Sequence, residues 1–103
     1  MRKITSVIKN AWLKSESKSM GNTQTDGKNV WLHGNKIIET RGKNVYVTLA
    51  GWHTRTTIER CNYIADAKYT TKNFEPYHDG IPVSSEEWIC VGTKESICKG
   101  EKQ

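Results

Sequence analysis

Five residues in the stretch AGWHTRTTIER, residues 50 to 60, have side chains suited to holding an anion joined to a planar ring. Arg55 and Arg60 carry planar forks of N–H donors that match phosphate oxygens, and the Thr54 hydroxyl adds another donor. Trp52 and His53 offer a face on which a base can stack. The stretch also reads as a helix start, where the partial positive charge of the helix end favours acids over bases. Two arginines there cost a few tenths of a kcal/mol each. A single charge-assisted hydrogen bond, worth roughly 1.5–3 kcal/mol, outweighs that cost. The candidate ligand is therefore a nucleotide-like anion or a nucleic acid, and the candidate site is Trp52, His53, Thr54, Arg55 and Arg60.

Other chemistry is poorly supported. His33, His53 and His78 with Cys61, Cys90 and Cys98 lack the short paired spacing of metal sites, so neither a metal nor a cofactor is expected. His78 and Asp79 are neighbours on an extended run, where adjacent side chains point apart. Cys61 falls on an apolar helix stripe and reads as a small buried side chain. No nucleophile elbow, phosphate loop, dinucleotide fingerprint or HExxH occurs. A non-enzymatic protein is expected.

Several elements must position the candidate site. Upstream of it, Val30–His33, Lys36–Arg41 and Asn44–Gly51 alternate as strands, with turns at Gly34-Asn35 and Gly42-Lys43, giving a three-stranded antiparallel meander. Thr56-Thr57-Ile58-Glu59 fits a capping box and starts a second helix over about residues 57 to 68, with Ile58, Cys61, Ile64 and Ala65 facing inward. A C-terminal hairpin follows, from Lys68–Phe74 through an Asp79-Gly80 turn to a strand around Trp88–Val91. The first helix, within RKITSVIKNAWLKSE, sets Ile4, Val7, Ile8, Ala11 and Trp12 at helical spacing. The fold class is α+β. The expected organisation is an amphipathic helical arm (1–20), a polar linker (21–29), one α+β domain (30–95) and a basic tail (96–103).

Composition narrows the class of partner. The chain has 103 residues, 16 Lys and Arg against 11 Asp and Glu, a net charge of +5, and a hydrophobic share of only 35%. That length fits one domain with a thin core, for which a homo-oligomer would be a natural supplement. The positive charge favours polyanions by steering. No signal peptide or membrane span follows Met1, and no membrane partner is expected. The order helix, three strands, helix is also that of double-stranded RNA-binding domains, but TRTTIER holds no lysine cluster and the last hairpin is extra.

LHGNKI at 32–37 followed by AGWHTRTTIER at 50–60 resembles a pattern in small bacteriophage and mobile-element proteins, LHGN and then AGWxTxTTxERLN. The likeness covers roughly residues 30 to 65 and departs at Cys61, where the pattern has leucine. It carries no established activity and so no catalytic residues. It implies a phage-type accessory role in the cytoplasm of an infected bacterium. Two functions are then expected in order: a binding module that sequesters a nucleotide-like signal of host defence, and, as the alternative, an inhibitor that binds a host or defence protein and is anchored by the N-terminal arm.

Overall fold

The computed structural model describes residues 3–51, 54–73 and 75–100. In chain order, helix α1 (Lys3–Leu13) leads into strands β1 (Lys18–Met20), β2 (Thr23–Thr25), β3 (Asn29–Leu32), β4 (Asn35–Arg41) and β5 (Asn44–Val47). Helix α2 (Arg55–Ala65) follows, then β6 (Tyr69–Lys72), β7 (Glu75–His78), β8 (Ile81–Pro82), β9 (Ile89–Thr93) and helix α3 (Lys94–Gly100). The main sheet is antiparallel, with strand order β1-β2-β3-β4-β5-β9, and β6-β7-β8 form a small second sheet. The α+β class and the central meander are as the sequence suggests. The sheet, however, has six strands rather than three.

Three segments account for the difference. Residues 18–25, polar enough to read as arm and linker, form β1 and β2 because Thr23 and Thr25 turn inward against the sheet while Gln24 faces water. Gly27 makes the next turn at φ 96°, and a Cβ there would lie 2.7 Å from the Ser15 carbonyl carbon, so no larger residue fits. At the other end, Asp79-Gly80 does turn the chain, but it joins β7 to β8. The strand around Trp88–Val91 leaves that hairpin and pairs with β5, where it covers an edge that would otherwise be open.

The helix expected as an arm packs on the core. Ile8 and Trp12 are fully buried beside Val30, Ile38, Val45 and Val47 of the sheet and Cys61, Ile64 and Ala65 of α2. Val30 stands opposite Ile38, and Ile38 opposite Val47, so one inward row crosses three strands. Trp12 also donates its indole N–H to the Lys28 carbonyl at 3.2 Å, tying α1 to the turn after β2. Ile97 of α3 closes the same core, so part of the expected basic tail is structural. No helix among the described residues is long and apolar enough to cross a membrane.

Candidate functional site

α2 starts two residues before its expected start. Thr54, with φ −85° and ψ 161°, is the capping residue, and its hydroxyl accepts from the Thr57 amide at 3.3 Å. Ile58 then closes the first helical turn onto the Thr54 carbonyl. The Arg55 and Thr56 amides come before any intrahelical acceptor, so they point out of the helix end. Moving the cap to Thr54 takes Glu59 out of reach of it. Glu59 instead accepts from Thr5 of α1 at 2.9 Å and pairs with Arg60.

Arg60, expected at a ligand, is fully buried. Its Nε donates to Thr23 Oγ1 at 3.0 Å, Nη1 to Thr5 Oγ1 at 2.7 Å and to Glu59, and Nη2 reaches Asn22 Oδ1 at 3.5 Å. A buried guanidinium has to be matched in this way, because a lone charge out of water is far costlier than any fold can carry. Arg60 therefore joins α1, α2 and the β1–β2 turn, and each of its three nitrogens already has an acceptor within the chain. Lys9 does similar work nearby, buried with its ammonium on the Tyr63 carbonyl at 2.9 Å and over the Tyr63 ring.

Arg55 is exposed and forms no ion pair with the described residues. In sequence it sits between Thr54 and Thr56, and both of these line a cleft of about 520 Å3. Trp52 and His53 lie outside the described residues. Of the five expected site residues, then, Thr54 and Arg55 are at one helix end and Arg60 is behind it in the core.

The cleft has three walls. Leu32, His33 and Asn35 come from the β3–β4 turn, Ile37, Leu49 and Ala50 form an apolar side, and Thr54, Thr56 and Thr57 bring the end of α2. A bulge supplies part of the apolar side. β3 pairs Val30 with Ile38 but Trp31 with Lys36, so Ile37 is an extra residue on β4. It is thereby turned inward next to Ile38, and its carbonyl accepts from the Thr48 amide at 2.9 Å.

Two corners at the cleft have left-handed backbone. His33 (φ 53°) and Gly34 (φ 82°) make the two-residue β3–β4 turn, one position before the Gly34-Asn35 turn that the sequence suggests. Ala50 (φ 54°) and Gly51 (φ 82°) make the corner into the α2 approach. Ala50 is the less suited of the two, since alanine has no side-chain hydrogen bond to offset the left-handed conformation. Residues 32–35 are absent from the site that the sequence suggests, yet residues of both stretches that carry the phage likeness line this one cleft, Leu32, His33, Asn35 and Ile37 from the first and Ala50, Thr54, Thr56 and Thr57 from the second.

Among the described residues that line the cleft there is one titratable group, His33, and neither a carboxylate nor a thiol. Cys61, by contrast, is buried beneath α2 with its Sγ on the Thr48 carbonyl, and burial pushes its thiol well above the usual range. Among the described residues no three His, Cys, Asp or Glu side chains gather as a metal site would need.

Comparison with protein families decides the origin of the chain. Residues 1–97 match the model of the Kyanoviridae Gp96 protein family. The chain belongs to that family. Membership of the Kyanoviridae Gp96 family makes it a phage protein, as the likeness of 32–37 and 50–60 implied, and the match takes in α1, both sheets and the start of α3. Neither curated proteins nor solved structures give a match to this Gp96 family member.

Proposed function

We propose that this phage accessory protein binds a nucleotide-like anion in the cleft between the β3–β4 turn and the start of α2, and holds it without turnover. The observation that carries the reading is the pairing of an apolar side, Ile37, Leu49 and Ala50, with a helix end whose first two amides face outward. A ring would lie against the apolar side at Ala50, with Ile37 and Leu49 buried in the core. Its phosphate would meet the Arg55 and Thr56 amides, the Thr56 hydroxyl and the Arg55 guanidinium. The volume, about 520 Å3, is of the size that small-ligand sites use. Sequestration of a defence signal in the infected cell is the role such a binder would serve.

The alternative, an inhibitor of a host protein anchored by the N-terminal helix, is less favoured. The apolar stripe meant for that contact, Ile8, Ala11 and Trp12, is already buried in the chain's own core.

Thermal melts with mononucleotides, cyclic dinucleotides and short oligonucleotides test the reading. A binder raises Tm with ligand concentration by mass action, at about 2.7 kcal/mol for a hundredfold excess over Kd. Arg55→Ala is expected to remove the rise while leaving the unliganded melt in place. A flat response across the panel would sink the proposal.

A further inference from the structure

A directed chain of hydrogen bonds runs from the buried Arg60 to the cleft. Arg60 can only donate, so Thr23 Oγ1 accepts from its Nε at 3.0 Å. The Thr23 hydroxyl proton is then directed onward, to Asn22 Oδ1 at 2.8 Å. Arg60 Nη2 approaches the same oxygen at 3.5 Å. With both neighbours donating, the Asn22 side chain cannot be turned over, because its NH2 group would then face a guanidinium and a hydroxyl proton. Asn22 Nδ2 is therefore the atom 3.4 Å from His33 Nε2. The backbone holds the two residues together, as the His33 amide donates to the Asn22 carbonyl at 2.8 Å.

From this order we infer that His33 is a specificity-determining residue of the cleft, held by Asn22 and Arg60 as the tautomer with its proton on Nδ1. Nε2 is used as the acceptor from Asn22. Nδ1–H is then the ring's one donor, carried by a residue that lines the same cleft as Thr54, Thr56 and Thr57 of the α2 end. This rests on the cleft reading above and refines its ligand. The anion goes to α2, and the far end of the ligand presents an acceptor, a ring nitrogen or carbonyl oxygen, to His33. A nucleoside monophosphate has both groups, whereas ribose 5-phosphate has only the anionic end. Asn22 and Arg60 act through His33 and are positioning residues.

Long-range proton–nitrogen correlation spectra of the 15N-labelled, unliganded protein read the tautomer directly. His33 is expected to carry its proton on Nδ1. In alkaline buffer that keeps the ring neutral, Asn22→Asp, which keeps the shape but offers an accepting oxygen to Nε2, is expected to move the proton to Nε2. Melts with nucleoside monophosphates and with ribose 5-phosphate then read the ligand. In the same buffer Asn22→Asp is expected to weaken the nucleotides about tenfold more than ribose 5-phosphate, the effect of one hydrogen bond of ~1.4 kcal/mol, the added charge acting on both anions alike. A proton on Nε2 in the unaltered protein, or a tautomer indifferent to Asn22→Asp, overturns the relay. An equal loss for ribose 5-phosphate overturns the assignment of His33 to the base. Failure of every nucleotide to bind the unaltered protein, with the tautomer as expected, instead overturns the cleft reading and the ligand assigned to His33 with it.

Discussion

Arg60 Nη1 and Thr5 Oγ1 lie 2.7 Å apart, so a fully buried cation on α2 is hydrogen-bonded to α1 across the helix interface. Glu59 accepts from the same threonine, which makes Thr5 the centre of a small polar cluster in the α1–α2 contact, alongside the Lys9–Tyr63 tie.

Arg60→Ala is therefore expected to damage the fold severely. It strips Glu59 of its ion pair and leaves Thr5 and Thr23 with unmatched oxygens, at a cost of about 3–5 kcal/mol. Urea unfolding would show the midpoint falling steeply or the folded baseline disappearing. Arg55→Ala, at an exposed position, should stay within about 0.5 kcal/mol of the unaltered protein. Equal effects from the two would mean that Arg60 is not the buried tie described.

The burial of Arg60 is legible in the sequence, but only along a different helix face. The inward residues of α2 are Thr57, Arg60, Cys61, Ile64 and Ala65, a full i, i+3, i+4, i+7, i+8 set. Drawing the stripe through Ile58 because it is apolar leaves Arg60 outside; drawing it by spacing from Cys61 and Ile64 puts Arg60 inside. The same happens in α1, where Thr5 and Lys9 are inward and Ile4 and Val7 are only half-buried. Hydrophobicity finds helix faces well until a polar cluster sits on them. The meander is plain because β3 and β5 alternate cleanly and tight turns bound β4 on both sides. The pairing of β9 with β5 is not, since nothing local to Ile89–Thr93 says which distant edge it will cover. As for the site, the stretch 50–57 stands out by its charges, whereas 32–35 reaches the cleft through turn geometry and a bulge that no side-chain chemistry announces.

Thr54→Ala should cost about 0.5–2 kcal/mol by uncapping α2. Thr56→Ala, two positions on and not the cap, should cost far less. Chemical denaturation of the pair distinguishes the cap at Thr54 from the capping box at Thr56 that the sequence alone suggests. The reverse ranking would return the cap to Thr56.

Ala50→Gly should raise stability by up to about 1 kcal/mol by relieving the left-handed backbone. In a domain of this size that is a gain of roughly 4–8 °C in Tm. A fall in Tm would mean that the Ala50 methyl contributes more by packing than the backbone strain costs.

Acid should loosen the small sheet. Burial holds the His78 imidazole below its ordinary value, and its Nε2 accepts from the Lys68 amide at 3.2 Å, a bond that the protonated ring cannot make. With the folded value lower than the unfolded one, the unfolded chain binds more protons in between. The stability from His78 is thus complete above about pH 6.5 and is lost as the pH falls through the folded value. An NMR titration should place the His78 midpoint below that of an unstructured histidine, with the Lys68 and Tyr69 amides shifting in step. A midpoint at or above the unstructured value contradicts the account.

Thiol labelling should separate Cys90 from Cys61. Cys90 is exposed on β9, whereas Cys61 is wholly buried with a thiol resistant to ionisation. In a Cys98→Ser background, Cys90 should react with a disulfide reagent in the folded protein and Cys61 only as it unfolds. Rapid reaction of both would show that the core under α2 is open.

The pairing of β5 with β9 has a bearing on how the protein is born. β5 ends at Val47 and its partner begins at Ile89, with α2 and the whole small sheet between them. A nascent chain leaving the ribosome with β5 complete cannot finish the sheet until α2 and the small sheet have been synthesised. Until then the β5 edge is bare, open to pairing with another unfinished copy on the same crowded message. The long closure also costs loop entropy that the neighbouring hairpins do not, so the β5–β9 pair is expected to form late. Synthesis rate over residues 48–93, rather than the stability of the finished fold, would then govern how much of the product is recovered soluble.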